Sequence, residues 1–342
     1  MNGDSTTGSM RDRKAAQLEL AARPSSLHAG STGLERLRLR HRALPGRDLA
    51  DVSLRTDFLG ARLAAPLLVS SMTGGTQRAR EVNSRLAHAA AKHSIGMALG
   101  SGRALLADPS LLATYRTEER PPLLLANLGP VQLRLGLGPA DAERLVELLG
   151  ADGMALHLNP LQEAVQPEGE TQFGDLLDRI AAVVERLRPR PVVVKEVGFG
   201  LGPEDVAQLA ALGVAAVDVA GAGGTNWASV EGQRDPRAAA VAEAFAGWGW
   251  PTATALQMAA PIAHATGTAV IASGGIANGV EAATALALGA QAVGIARPFL
   301  LAALDDRADE AVEVIVRQLR LAVWLTGRAA VSDLSPDDLL EA

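Results

Sequence analysis

The 342-residue chain contains no cysteine, which excludes disulfides, thiolate metal sites and a cysteine nucleophile. Aromatic residues are almost as scarce, with Phe 5, Trp 4 and Tyr 1, which counts against a surface that stacks single-stranded nucleic acid on rings. Positive charge is not in excess. The formal net charge is −6 and the pI about 5.6, so neither nucleic acid nor an anionic membrane is an expected partner. No apolar run is long enough to span a bilayer; the longest such stretch, 282–296, is rich in Ala and Gly and broken by Gln291. Residues 1–10 are small and polar and lack the apolar segment of a secretory signal. The expectation is a soluble, cytoplasmic protein.

Apolar residues are plentiful at 48% and mean hydropathy is +0.14, enough for a large core. Gly 35 and Pro 18 point to many tight turns. The length fits two average domains or one α/β barrel.

Residues 1–10 read as a flexible tail and Arg11–Leu20 as a short helix bearing Arg13 and Lys14. Residues 36–42 alternate basic and apolar, as a half-buried edge strand with a charged outer face does. Eight short apolar runs follow, at 67–70, 95–99, 123–127, 154–158, 192–196, 214–219, 269–273 and 292–296. Near-continuous apolarity is the mark of parallel strands buried on both faces. Helical patterns lie between them. Within 175–188, Leu176, Ile180, Val183, Val184 and Leu187 recur at helical spacing behind Asp175 as a cap; further helices are expected over 141–150, 203–213 and 279–289. The pattern predicts a (β/α)8 TIM barrel in a single domain, residues 11–342, with a doubly wound open sheet as the alternative. The gap between strands six and seven is the longest. An insertion there, spanning Trp227 to Trp250, is expected to cover the mouth. No G-x-G-x-x-G follows the first strand, which argues against a Rossmann site.

In a barrel the chemistry belongs at the C-terminal strand ends. Those ends carry Ser71 to Thr76, Gly100 to Arg103, Asn127, His157 with Asn159, Gln162 and Glu163, Lys195 with Glu196, Gly221 to Asn226, Ser273 to Ile276, and Ala296 with Arg297. The turns after strands seven and eight form the common phosphate site of barrels, and Gly274, Gly275 and the helix after them suit it. Lys195 is a cation in an apolar strand. A Schiff-base nucleophile, a partner for an anionic cofactor and an ion pair with Glu196 are all open, although adjacent strand residues diverge. Glu163 among neutral neighbours suits Mg²⁺ shared with a diphosphate better than zinc.

The segments SMTGGT (71–76), MALGSGR (97–103), LHLNPLQEAVQPEGE (156–170), VVVKEVGFG (192–200), DVAGAGGTNW (218–227), WGWPTA (248–253), SGGIANG (273–279) and GIARPFL (294–300) resemble the type 2 isopentenyl-diphosphate delta-isomerases. The resemblance implies an FMN-dependent barrel that interconverts isopentenyl and dimethylallyl diphosphates in isoprenoid biosynthesis. It implies reduced FMN, NADPH as reductant, Mg²⁺ and a homotetramer or homo-octamer. By position, it implies FMN contacts from Met72, Thr73, Gly74, Gly75, Ser101, Asn127, Lys195, Thr225, Gly274, Gly275, Ala296 and Arg297. Substrate contacts would come from Arg13, Lys14, Ser101, Arg103, Asn159 and Gln162, and a metal contact from Glu163. Gln162, Lys195 and His157 would carry the chemistry, His157 by serving the diphosphate or relaying protons.

Four positions depart from the family pattern: Gln17 replaces His, Gly102 replaces Gln, Asn226 replaces Ser and Ala277 replaces Arg. The change at Gly102 is expected to remove an amide from the substrate pocket. Two other readings stand beside the isomerase. One is an FMN oxidoreductase of the 2-hydroxy-acid oxidase kind, which would need a His and an Arg where this chain has Ala222-Gly223-Gly224-Thr225. The other is a non-catalytic flavin-binding relative.

Overall fold

The computed structural model describes the backbone of residues 4–342 and side chains from Asp12 onward. Eight parallel strands close into a barrel: β1 (Leu67–Val69), β2 (Gly96–Ala98), β3 (Leu124–Leu128), β4 (Gly153–His157), β5 (Val192–Lys195), β6 (Ala216–Asp218), β7 (Ala269–Ala272) and β8 (Ala292–Ile295). Each pairs with its neighbours in sequence, and β8 closes onto β1 through Val293↔Leu67 to Ile295↔Val69. The (β/α)8 expectation holds for all eight apolar runs, and the open sheet is excluded by this closure.

Strand alternation divides the core in two. Leu67, Val69, Val192 and Val194 face the helices and belong to the large outer layer. Leu68, Leu125, Ala155, Val193, Ala216, Ile271 and Ala292 fill the barrel interior. An antiparallel hairpin, Thr56–Phe58 with Ala61–Leu63, seals the bottom by adding Phe58 and Leu63 to that inner cluster. The alternating basic stretch is a short strand, Leu37–Leu39, paired antiparallel with Leu339–Glu341 at the chain's other end.

The helices differ from expectation in detail. Helix α1 runs Asp4–Ala21, so helix begins well before Arg11 and takes in most of the segment read as a flexible tail; residues 1–3 lie outside the described residues. Asp175 stands at the N-cap of the helix Leu176–Leu187 but makes no cap bond, because Arg179 and Arg134 take its carboxylate. The helix Gly279–Ala287 is capped by Asn278, whose side chain accepts from the N–H groups of Val280 and Glu281. The terminus expected to be bare is therefore occupied.

The long connection between β6 and β7 holds the helices Trp227–Gly232 and Pro236–Ala244. Trp227 borders the barrel mouth, whereas Trp248 and Trp250 point outward at 60% and 46% exposure. The insertion covers only part of the opening; α1 supplies the rest.

Candidate functional site

Because side chains alternate, the residue two beyond each inner-layer residue faces the same way. That rule generates the floor of the site: Ser70 above Leu68, Asn127 above Leu125, His157 above Ala155, Lys195 above Val193, Asp218 above Ala216, and Ser273 above Ile271. Register places His157 opposite Lys195, and Lys195 opposite Asp218. A cavity of about 440 Å³ opens above this ring. Of the residues expected to form the site, all but Gly75 border it. Gly75 turns aside at φ +85° and donates its N–H to Thr114 Oγ1 at 3.1 Å.

Lys195 is buried. Its Nζ donates to the Glu196 carbonyl and lies 3.8 Å from Asp218 Oδ2. The Glu196 side chain diverges as expected, and its Oε2 accepts the N–H groups of Val197, Gly198, Phe199 and Gly200. Burial outweighs those four donors and pushes the Glu196 carboxyl up to about 7. The ion partner of Lys195 is Asp218, which local sequence reading missed.

His157 donates through Nδ1 to Asn127 Oδ1 at 2.8 Å, since an amide oxygen only accepts. Burial, then the Lys195 and Lys14 charges, depress its pKa to about 3. The ring is therefore neutral, with Nε2 as an acceptor, and an added Cβ at Gly129 would come within 3.1 Å of it. A neutral ring gives no cationic support to a diphosphate and presents a hydrogen-bond acceptor to the cavity.

At the mouth, α1 brings Arg13 and Lys14 beside Arg103. Lys14 Nζ donates to the Ser101 carbonyl at 3.0 Å and to Tyr115 Oη at 2.9 Å. Burial, with Arg13 and Arg103 nearby, depresses Lys14 to about 7. Arg13 meets a carboxylate only at 3.6 Å, from Glu168, and its Nε is buried without a partner. Arg103 is held by both oxygens of Glu170. Three cationic side chains crowd one rim and one of them is driven toward neutrality, an arrangement that suits an anion.

A polar wall connects rim and floor. Asn159 Nδ2 donates to Gln162 Oε1 and Glu163 Oε1, both at 3.0 Å. Gln162 Nε2 donates to Glu231 Oε1 at 2.8 Å, and Gln17 Nε2 donates to the same oxygen at 2.7 Å. Arg234 pairs with the other Glu231 oxygen. Glu163 Oε2 accepts the Glu170 N–H, yet burial raises the Glu163 pKa.

The opposite side is a glycine cradle. Gly274 and Gly275 have φ of +99° and +76°, and a Cβ on Gly274 would overlap the Gly221 carbonyl. Among the described residues their two N–H groups meet no acceptor. Arg297 stands beside them, with Nη2 on the Ala22 carbonyl at 2.9 Å and Nε buried without a partner. Unpaired donors of this kind suit a phosphate.

Gly102, expected to mark an amide lost from the pocket, and Asn226 both lie away from the cavity. An added Cβ at Gly102 would lie 2.5 Å from Leu145, on the helix Pro139–Leu149, so residue 102 does not project into the cavity and no pocket amide is lost there. Asn226 is buried; it caps Trp227–Gly232 through the Ser229 N–H and donates to the Phe245 and Ala246 carbonyls. Gln17 and Ala277 do border the cavity.

The profile of the FMN-dependent dehydrogenase family matches residues 18–105 and 162–341. An isopentenyl-diphosphate delta-isomerase of Synechococcus sp. is 49% identical over 93% of this chain and 92% of its own. Another, of Stutzerimonas stutzeri, is 45% identical over 97% and 98%. Among solved structures, a flavocytochrome b2 variant with benzoylformate superposes at TM-score 0.66 and 19% identity, covering 99% of this chain and 85% of that one. A mandelate oxidase variant superposes at TM-score 0.64 and 21% identity, covering both chains fully. These two share the fold.

Proposed function

Because this chain belongs to the isopentenyl-diphosphate delta-isomerases, within the FMN-dependent dehydrogenase family, we propose that it interconverts isopentenyl and dimethylallyl diphosphates with bound FMN. The residues fit that cofactor. The Gly274–Gly275 N–H groups and the unpaired Arg297 Nε would hold its phosphate, and Lys195 would lie against its ring system. One observation carries the reading: unpaired phosphate donors on one side of the cavity, a cluster of cations at its rim, and a hydrogen-bonded polar wall holding Gln162 and Glu163.

The alkene is a very weak base, so the barrier is a carbocation-like state. Reduced FMN, when bound, supplies an electron-rich ring that exchanges a proton and stabilises positive charge. Arg13, Lys14 and Arg103 bind the diphosphate, and that remote binding energy positions the alkene. Glu163 is a single buried carboxylate, raised by desolvation, and Mg²⁺ shared with diphosphate oxygens would relieve it. Gln162 is held by Asn159 and Glu231 in one orientation, which fixes its amide toward the reacting end. His157, fixed through Nδ1 by Asn127, presents a neutral Nε2 as a hydrogen-bond acceptor at the cavity floor. Trp227 and α1 exclude water from above.

NADPH as reductant, a homotetramer or homo-octamer, a cytoplasmic location and a place in isoprenoid biosynthesis belong to the same proposal. They rest on the family resemblance. No helix among the described residues is long and apolar enough to cross a membrane. The oxidase reading lacks support at its key position, since the turn 222–225 offers neither His nor Arg.

The deciding assay is anaerobic turnover in D₂O. Reductant is expected in amounts stoichiometric with enzyme while product keeps accumulating, with deuterium in the methyl formed from the terminal alkene carbon. NADPH lost mole for mole with substrate, or unlabelled product, would replace the isomerase by an oxidoreductase.

A further inference from the structure

Two buried charges of opposite sign stand side by side at the barrel end beneath the cavity, and only Lys195 lines it and has a task in the chemistry above. Asp218 stands at the end of β6 at 4% exposure. Its Oδ2 is 3.8 Å from Lys195 Nζ; its Oδ1 accepts from Ser273 Oγ at 2.6 Å and from the Ala220 N–H at 3.2 Å. Register places the two residues side by side, both pointing inward. The other nearby ionisable groups do not compete. The Glu196 carboxylate is taken up by its own loop, and His157 is neutral.

We infer that Asp218 is a positioning residue that orients the Lys195 side chain and, by partly cancelling its charge, sets how strongly the site favours the reduced over the oxidised cofactor. The physics is electrostatic. A counter-ion just under 4 Å from a buried ammonium weakens the field the ammonium projects. The long Lys195–Asp218 separation matters here. A tight pair would leave little field for a ligand, whereas the Ser273 hydroxyl and Ala220 N–H draw the carboxylate charge away from Nζ and toward Oδ1. The residue touches neither substrate nor the reacting atoms, and it borders no part of the cavity.

The inference rests on the reading of the cavity as an FMN site, and the test separates the two. FMN dissociation constants, oxidised and reduced, and the midpoint potential are measured on the purified holoprotein. The variants are Asp218→Asn, which keeps the shape, and Asp218→Ser, which removes the charge with a smaller side chain. Lys195→Ala serves as the opposite reference. Both Asp218 variants are expected to tighten reduced FMN relative to oxidised FMN several-fold and to move the potential positive. Lys195→Ala is expected to move it negative. Failure of the wild type to bind FMN would overturn the cofactor reading. FMN bound by wild type and by either folded Asp218 variant with the same reduced-to-oxidised ratio, or a negative shift, would overturn the role of Asp218 alone.

Discussion

With the diphosphate bound as proposed, Lys14 makes substrate binding a proton-coupled event. In the empty site its pKa is about 7, depressed by burial and by the Arg13 and Arg103 charges. A diphosphate placed among these three cations reverses the balance and makes the charged lysine the favoured form. At pH 7.5 about a quarter of the free protein carries the charge, and at pH 9 about one-hundredth. An alkyl diphosphate is fully ionised over this range, so its affinity is expected to fall roughly 20-fold between those pH values. Titration calorimetry of isopentenyl diphosphate into the oxidised protein, at fixed Mg²⁺ and in buffers of differing ionisation heat, reads the proton directly. About 0.9 proton should be taken up per site at pH 8, and little at pH 6. Lys14→Met should bind more weakly at low pH and lose the pH slope. Equal affinity at pH 7.5 and 9, with no proton uptake, would refute the argument. The depressed pKa also has a sign for folding. Between pH 7 and 10.5 the unfolded chain holds a proton at residue 14 that the native empty site lacks, so this residue's contribution to stability improves as pH rises through that window.

FMN should bind more tightly than riboflavin, because the Gly274–Gly275 turn and Arg297 offer donors that only a phosphate uses; equal dissociation constants would remove that assignment. Glu163→Gln should raise the Mg²⁺ concentration needed for half-maximal rate, and superimposable Mg²⁺ titrations would take Glu163 out of the metal site. Asn226→Ala should cost about 1–2 kcal/mol of stability in urea unfolding, since a cap bond is lost and two carbonyls lose a donor; an unchanged midpoint would show the cap to be dispensable.

The barrel was legible because its signal is local. A run such as Val192–Val194 is apolar on both faces, and the polar residue that ends it marks the functional rim. Motif position likewise found the glycine turn, Lys195 and the Gln162–Glu163 loop. What stayed hidden depends on pairing at a distance. Asp218 reads as an ordinary strand end until register sets it beside Lys195. The single tyrosine, Tyr115, lies in an unremarkable stretch, yet its ring packs against Gly74 and its hydroxyl steadies Lys14. Glu231 gathers Gln17, Gln162 and Arg234 from three separate segments. The strand parity that separates Lys195 from Glu196 could have flagged Asp218, given the register. For residue 102, motif position alone misled, because its Cα faces Leu145.

Helix α1 is seated by residues far along the chain. Gln17 waits for Glu231, 214 positions on, and the Ala22 carbonyl for Arg297, 275 positions on. Such distant closures come late in folding, after local strand–helix units have formed. The helix that carries Arg13 and Lys14 is therefore fixed over the mouth only when the far side of the barrel is in place. The contacts of Lys14 to Ser101 and Tyr115 are made within about the first third of the chain, but Gln17 and the Ala22 carbonyl are held only from the far side of the barrel, so the rim that α1 forms is the last part of the cavity to set.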